Sequence, residues 1–297
     1  MITDKDKKIA IVTGATGGIG TQLCKSLIEK GYYVLALCRN SKNGTQNRVT
    51  GVEYINGTLD NFSTTSSFVG SIINTLQGRT IDILFNNAGI IAPQFRLNEN
   101  GIESSLFVNC LAPVIITQSL LPYFTPSGGR IVNTLSCTID ETTAKRRITS
   151  FDFDKIINNR EEKLIIEEFK EMTDNLGLNK KEGFISLKNY SMTKRLLAFY
   201  TSCLLKKHLH DGKMPLALGA DPGVVNTGII TQHRWYDPLA DIFFRPFIKS
   251  PYKGSIPLLR ATMYMADRES AEYREVCSMA KPLIIFKGNK KTCIKEL

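Results

Sequence analysis

The sequence contains no uninterrupted run of eighteen or more apolar residues, the length that a transmembrane helix needs. The charged segment Met1–Lys8 is followed at Ile9 by an apolar stretch that glycines soon interrupt, which is a poor match to a secretory signal peptide. We therefore expect a cytoplasmic protein with no integral membrane segment, for which peripheral membrane contact stays open.

Paired cysteines and clustered histidines are also missing. The seven cysteines are an odd number, they are scattered, and none forms a Cys-x-x-Cys pair, while the chain has only three histidines. This pattern suggests neither a disulfide framework nor a zinc site. We expect reduced thiols and no bound metal.

A concentrated basic stripe is absent as well, although the net charge is +10. Near the N-terminus Lys5 and Lys7 alternate with Asp4 and Asp6, and no recognised nucleic-acid motif accompanies the charge. An anionic cofactor explains the charge more simply, so we expect no nucleic-acid partner.

The sequence does contain a regular alternation of short apolar runs with segments of helical spacing. This alternation predicts an α/β fold: a Rossmann-type doubly wound parallel sheet of about seven strands with helices on both faces. No Pro- or Ser-rich linker divides the chain, so residues 1–297 are predicted to form a single domain. The predicted strands are 9–13, 32–38, 52–55, 81–85, 130–135 and 215–220, and the predicted helices are 19–29, 62–76, 103–121 (kinked at Pro113) and 190–208.

One segment, residues 138–189, breaks this alternation because it is long, densely charged and poor in strand patterns. The apolar residues Ile157, Leu164, Ile165, Phe169 and Met172 fall on one side of a helix over 155–173, which predicts a surface helix. We interpret 138–189 as a helical insertion on the rim of the sheet.

A glycine-rich turn, Thr13-Gly-Ala-Thr-Gly-Gly-Ile-Gly20, joins the first predicted strand to the first predicted helix. Glycines at 14, 18 and 20 allow a tight turn and the close approach of a pyrophosphate, and the start of the next helix offers free N–H groups. The alternative is a purely structural turn. The position of the glycine-rich turn between a predicted strand and a predicted helix favours a dinucleotide site.

The end of the second predicted strand bears on which dinucleotide binds. An acid there suits a free ribose 2′-hydroxyl, whereas an arginine suits a 2′-phosphate. This chain has Cys38-Arg39-Asn40 and no acid, so Arg39 favours NADP(H) over NAD(H) unless it is only a solvated strand end.

A tyrosine and a lysine, Tyr190 and Lys194, are four residues apart on a predicted helix and therefore project from one face. We expect the ammonium of Lys194 to lower the pKa of Tyr190, which could then exchange a proton with a carbonyl oxygen. Ser136 follows the fifth predicted strand, where its hydroxyl could hydrogen-bond the same oxygen.

The ordered set of these motifs resembles the short-chain dehydrogenase/reductase family over roughly residues 8–230. The set comprises the glycine turn, Asn86-Asn-Ala-Gly89, Asn109, Ser136, Tyr190-Ser-Met-Thr-Lys194 and Pro222-Gly223. The resemblance implies a catalytic set of Asn109, Ser136, Tyr190 and Lys194. It also implies a cofactor-binding set of Gly14, Thr16, Gly18, Ile19, Gly20, Arg39, Asp60, Asn87, Ala88, Gly89, Tyr190, Lys194, Pro222, Gly223, Val225 and Thr227.

Several roles come with this resemblance. Asp60 matches the acid that binds the adenine amino group, and Thr227 matches the residue that reaches the nicotinamide amide. Asn109 matches an asparagine that holds a water in a proton relay. Lys194 would bind the nicotinamide ribose.

Two further stretches resemble different branches of the family. Ser136 and Tyr190 are separated by 54 positions, which resembles the long insertion of monomeric carbonyl reductases and implies a monomer. Residues 222–227 and 243–251 instead resemble the retinol-dehydrogenase-like branch. The aromatic residues between 235 and 247 could form an apolar lid, touch a membrane surface or pack in the core.

Together these features predict an NADPH-dependent reductase of an apolar aldehyde or ketone, with Tyr190 as general acid. One alternative is a dehydrogenase that oxidises an alcohol, retinol or steroid hydroxyl. An alternative from another class is a non-catalytic NADP(H)-binding redox sensor, which would not need a proton donor.

Overall fold

A single eight-stranded sheet forms the centre of the protein in a computed structural model that describes residues 6–39, 47–126, 128–140, 153–158, 161–225, 249–264, 279 and 282–294. The strands are β1 (Ile9–Val12), β2 (Tyr33–Cys38), β3 (Val52–Asn56), β4 (Ile81–Asn86), β5 (Arg130–Thr134), β6 (Leu216–Asp221), β7 (Leu283–Lys287) and β8 (Lys290–Ile294). Their spatial order is β3-β2-β1-β4-β5-β6-β7-β8. All neighbouring strands are parallel except β7 and β8, which are antiparallel.

Helices cover both faces of this sheet. They are α1 (Gly18–Glu29), α2 (Phe62–Leu76), α3 (Ser104–Leu106), α4 (Ala112–Leu120), α5 (Phe153–Asn158), α6 (Glu162–Asn175), α7 (Ser186–Asp211) and α8 (Pro251–Met263).

Two apolar layers hold the helices to the sheet, because alternate residues of a strand point to opposite faces. In β1, Ile9 and Ile11 pack in the layer that contains α2, α4 and α7. Ala10 and Val12 pack in the layer that contains α1 and α8. All four β1 residues are buried, which explains why this strand is an unbroken apolar run.

The predicted fold class is confirmed, and the six predicted strands form at their predicted positions. The sheet has eight strands where about seven were expected. Neither β7 nor β8 was located from the sequence; β7 is an apolar run that was overlooked, whereas β8 is a polar edge strand with no continuous apolar run. The assignment of residues 1–297 to a single domain stays a prediction.

The helix predicted over 103–121 contains a wider turn than expected. A π-helical turn at Phe107–Leu111 separates α3 from α4, and the Ala112 N–H donates to the Phe107 carbonyl. Pro113 explains the irregularity, because it lacks an N–H and its ring would clash with the Asn109 carbonyl in a regular α-helix.

The segment Ser104–Tyr123, with a mean hydropathy of 1.6, is the one helix of the described chain long and apolar enough to cross a membrane. The segment contains several polar residues, and 78% of its apolar 18-residue stretch is buried inside the protein. The buried helices of a protein core meet the same criterion, so this is weak evidence for a membrane span.

The insertion differs from the single surface helix that was predicted. Two helices, α5 and α6, form in place of it, and their apolar sides join the core against α7. Phe153 lies with its ring centroid 5.5 Å from that of Tyr200 on α7, and Ile165 and Phe169 are fully buried. Leu164, predicted on the same apolar side, is 39% exposed. The insertion therefore packs on a helix beside the sheet, because α7 presents an apolar face that needs cover.

Candidate active site

A cavity of about 580 Å³ opens at the carboxyl ends of the parallel strands, where ligands bind in sheets of this kind. Thr227 lies outside the described residues, and Asn109 is buried behind the wall. All other predicted site residues line the cavity: Gly14, Thr16, Gly18, Ile19, Gly20, Arg39, Asp60, Asn87, Ala88, Gly89, Ser136, Tyr190, Lys194, Pro222, Gly223 and Val225.

The glycine turn leaves no room for side chains at two positions. Gly14 has a φ of +64°, and a Cβ there would lie 2.9 Å from the Cα of Ala88. A Cβ at Gly20 would lie 2.2 Å from the Gly14 carbonyl oxygen. Glycine is therefore required where α1 starts beside β4. The first turn of α1 carries no acid and no side-chain cap, so its N–H groups can receive a phosphate.

Thr13 fastens this turn to the strand beside it, a role that sequence reasoning missed. Its hydroxyl accepts hydrogen bonds from the backbone N–H groups of Asn87 and Ala88, both at 3.0 Å. The Asn87 amide in turn donates to the carbonyls of Thr13 and Gly14 at 3.0 and 3.3 Å. From the sequence, Thr13 was recognised only as the first residue of the glycine turn. A hydroxyl at the end of a buried strand was the available clue.

The end of the cavity beside β2, where the family resemblance places the adenosine and which we call the adenosine end, carries an arginine. Arg39 follows β2 directly and lines the cavity, and Cys38 before it is buried. Asp60 lines the same end, and its backbone carbonyl accepts a 2.9 Å hydrogen bond from Asn98. No acid follows β2 directly, so the position that would compete with a 2′-phosphate is occupied by the cation Arg39.

At the other end, Tyr190 and Lys194 share one face of α7, as predicted. The Nζ of Lys194 lies 5.7 Å from the centroid of the Tyr190 ring and donates a 2.8 Å hydrogen bond to the Thr134 carbonyl. A Cβ at Gly89 would lie 3.4 Å from this Nζ, so the glycine lets the loop after β4 pass close to the lysine. Ser136, two residues after Thr134, lines the cavity beside Tyr190 and lies close enough to its hydroxyl to lower its pKa.

The protonation of this pair differs from the expectation. Burial raises the pKa of Tyr190 to about 12, Ser136 opposes the shift, and the nearby Asp221 and Cys137 raise the pKa further. Burial lowers the pKa of Lys194 to about 8. The expectation of a lowered Tyr190 pKa is therefore wrong in this structure, because desolvation is the largest influence on this phenol and raises its pKa. At neutral pH Tyr190 is a phenol that can donate its proton.

Asn109 lies on the π-helical turn and uses its whole side-chain amide on protein partners. Its Oδ1 accepts from the Ile90 N–H at 2.7 Å, and its Nδ2 donates to the Ile90 carbonyl at 2.7 Å and to the Thr193 hydroxyl at 3.0 Å. The side chain therefore ties the loop after β4 to α7. Both N–H donors of the amide are occupied, so a water held by this side chain would have to donate to the second lone pair of Oδ1.

The remaining wall near Tyr190 is apolar, and sequence reasoning did not find it. Leu187 and Val224 stand at the mouth with 46% and 48% of their surfaces exposed. The apolar residues that line this part are Ile90, Ile91, Val108, Leu135, Leu187 and Val224. They come from five separate segments of the chain, so no local sequence pattern predicts that they meet.

The strand order and a glycine turn that opens α1 below a cavity define a Rossmann-type doubly wound protein. The family model described as short chain dehydrogenase matches residues 8–146, from the start of β1 to beyond Ser136. This match covers slightly less than half of the chain, so the N-terminal half is similar to short-chain dehydrogenases.

Known proteins of this family resemble the chain in sequence and in fold. Retinol dehydrogenase 16 of Rattus norvegicus is 30% identical over 142 residues, which cover 46% of this chain and 45% of that protein. The structure of salutaridine reductase from Papaver somniferum has a TM-score of 0.59 and 21% identity, covering 88% of this chain and 97% of that one. NADPH-bound carbonyl reductase from chicken fatty liver has a TM-score of 0.58 and 16% identity, covering 89% and 94%. The chain spans about half the length of the curated relatives it matches.

Proposed function

We propose that the protein is an NADP(H)-dependent oxidoreductase that reduces the carbonyl group of an apolar aldehyde or ketone to an alcohol. The observation that carries the proposal is the meeting of Ser136, Tyr190 and Lys194 in one cavity with the glycine turn. The retinol dehydrogenase and carbonyl reductase among the similar proteins support this class of reaction.

When bound in this cavity, the reduced nicotinamide would be the source of the hydride that the carbonyl carbon receives. Tyr190 donates its phenolic proton to the carbonyl oxygen, and the Ser136 hydroxyl hydrogen-bonds the same oxygen and orients it. Lys194 lies within reach of the tyrosine ring and would bind the nicotinamide ribose. With a pKa of about 12, Tyr190 is in its acid form at neutral pH, which is the form that the reductive step requires.

The residues present fit NADP(H) at both ends of the cavity. The close packing at Gly14 and Gly20 brings backbone to the place where a pyrophosphate must lie, at the start of α1. Arg39 provides the cation that a 2′-phosphate requires. The carbonyl reductase from chicken fatty liver, described as NADPH bound, supports the same cofactor.

We further propose that the protein is a monomer. The helices α5 and α6 of the insertion pack on α7, where Phe153, Ile165 and Phe169 are buried. They cover part of the surface that α7 could otherwise offer to a second copy. Light scattering in solution tests this, and a stable dimer or tetramer would contradict it.

The function is tested by following NADPH oxidation with a panel of aldehydes, ketones and quinones. Tyr190→Phe should lower kcat by about 10²- to 10⁴-fold while the Kd for NADPH stays within about two-fold. Tyr252→Phe is the matched control, because Tyr252 is 59% exposed on α8 and should leave kcat unchanged. Tight NADPH binding without turnover on any substrate would favour the redox sensor. Substantial activity of the Tyr190→Phe protein would exclude Tyr190 as the acid.

A further inference from the structure

The chain between β2 and β3 returns to the adenosine end of the cavity at Asn47 and Arg48. The Asn47 amide donates a 3.2 Å hydrogen bond to the carbonyl of Thr16 in the glycine turn. The Nη2 of Arg48 donates to the Sγ of Cys38 at 3.3 Å and to the Oδ1 of Asn56 at 2.9 Å. Arg48 thus bridges the last residues of β2 and β3. The residues that follow those two strand ends, Arg39 and Gly57, line the cavity, as does Thr16.

The Arg48 side chain is held in place by the edge strand β3. Its guanidinium lies over the ring of Tyr54, 4.9 Å from the centroid, and the Tyr54 hydroxyl accepts a 2.8 Å hydrogen bond from the Val49 N–H. Tyr54 and Asn56 are two apart on one strand, so they point to the same side and grip the arginine together. An arginine positioned in this way loses little further side-chain entropy when it binds a ligand.

The charge of Arg48 lacks a carboxylate partner within the described part of the chain. Its hydrogen-bond acceptors there, a thiol and an amide oxygen, are both neutral. A guanidinium has five N–H donors in a planar fork, and the two contacts made here use only one of its terminal nitrogens. The other donors remain for an anion that arrives at the end of β2, beside Arg39.

We propose that Arg48 is a second determinant of dinucleotide choice, which binds the 2′-phosphate of NADP(H) together with Arg39. This inference rests on the proposed function. A phosphate is favoured over the adenine ring as the partner because the fork of donors and the uncompensated charge match an oxyanion, while one face of the guanidinium already covers Tyr54.

The test compares the Kd of NADPH and of NADH, measured by fluorescence titration, for the wild type and Arg48→Gln. Glutamine can keep a hydrogen bond to Asn56 but has no charge. The Kd for NADPH should rise about 10- to 100-fold, the effect of losing a hydrogen bond to a charged group, while that for NADH changes by less than about two-fold. Arg48→Lys, which retains the charge without the fork, should give an intermediate loss for NADPH alone.

Arg79→Gln is the matched control. Arg79 also covers a tyrosine ring, that of Tyr33 at 4.6 Å, but it lies just before β4 at the amino ends of the strands, away from the cavity at their carboxyl ends. The Arg79→Gln variant should leave the Kd for NADPH and the Kd for NADH unchanged. Equal losses for NADPH and NADH in Arg48→Gln, or an unchanged preference for NADPH, would overturn the role of Arg48. A wild type that binds neither dinucleotide would contradict the proposed function itself.

Discussion

The side-chain amide of Asn109 donates a 3.0 Å hydrogen bond to the hydroxyl of Thr193, the residue immediately before Lys194. The same hydroxyl donates a 2.7 Å hydrogen bond to the carbonyl of Tyr190. Thr193 is fully buried and joins the π-helical turn to the stretch of α7 that carries both reactive side chains. It therefore fixes the position of α7 relative to the loop at Ile90 without facing the substrate itself.

Replacing Thr193 with valine should destabilise the protein and slow the reaction. Valine has the shape of threonine but no hydroxyl, so one N–H of the buried Asn109 amide loses its partner, which costs about 1–3 kcal/mol. We expect the free energy of unfolding in urea to fall by that amount, and kcat to fall with little change in the Kd for NADPH. Thr193→Ser keeps the hydroxyl and should restore most of both. Unaltered stability and kcat in the valine variant would show that the bond has no such role.

Much of the fold could be predicted because the six predicted strands are short apolar runs bounded by turns. The cavity lining could be predicted where a local motif marks it, as in the glycine turn. The contacts of Asn109 could not, because its partners lie 19 and 84 positions away and are brought together only by packing. The pKa of Tyr190 was mispredicted for the same reason. Its desolvation depends on neighbours from several elements, whereas the spacing to Lys194 is local.

The glycine turn should tolerate no Cβ at Gly20. An alanine Cβ there would lie 2.2 Å from the Gly14 carbonyl oxygen, so the turn must move and the phosphate-binding N–H groups with it. Gly20→Ala should raise the Kd for NADPH more than about tenfold, since that corresponds to only 1.4 kcal/mol, and should lower Tm. The measurements are fluorescence titration and thermal unfolding.

Gly70→Ala is the control for this substitution. Gly70 is inside α2, and a Cβ there would meet nothing within 4 Å. Alanine has the higher helix propensity, so the variant should gain up to about 1 kcal/mol in stability and bind NADPH normally. Tight NADPH binding by Gly20→Ala would contradict the close packing of the turn.

The insertion should contribute strongly to stability through Phe153. Its ring is fully buried against Tyr200 of α7, so Phe153→Ala should lower the free energy of unfolding by about 3–5 kcal/mol. Leu164→Ala, at an exposed apolar position of α6, should cost less than about 1 kcal/mol. Urea unfolding measures both. Similar small losses in the two variants would mean that α5 packs only loosely on α7.

The buried Lys194 should give the protein a stability that rises with pH above 8. Burial lowers its pKa from 10.5 to about 8 in the folded state, a shift equivalent to about 3 kcal/mol. Below pH 8 both states are protonated, and the folded state bears the full cost of the buried ammonium. Between pH 8 and 10.5 the unfolded chain binds more protons than the folded one, so the free energy of unfolding increases with pH.

Other groups, including buried cysteines and tyrosines whose pKa values are raised, titrate in the same range and act in the opposite direction. We therefore predict how the difference in free energy of unfolding between the wild type and a variant changes with pH. The free energy of unfolding of the wild type minus that of Lys194→Met should increase steadily from pH 7.5 to 9.5, by about 1–2 kcal/mol over those two units. Lys188→Met removes an exposed lysine from the same helix and should give a difference that does not change with pH. Urea titrations at several pH values measure both differences. A difference for Lys194→Met that does not change with pH would show that Lys194 does not lose its proton more readily in the folded protein.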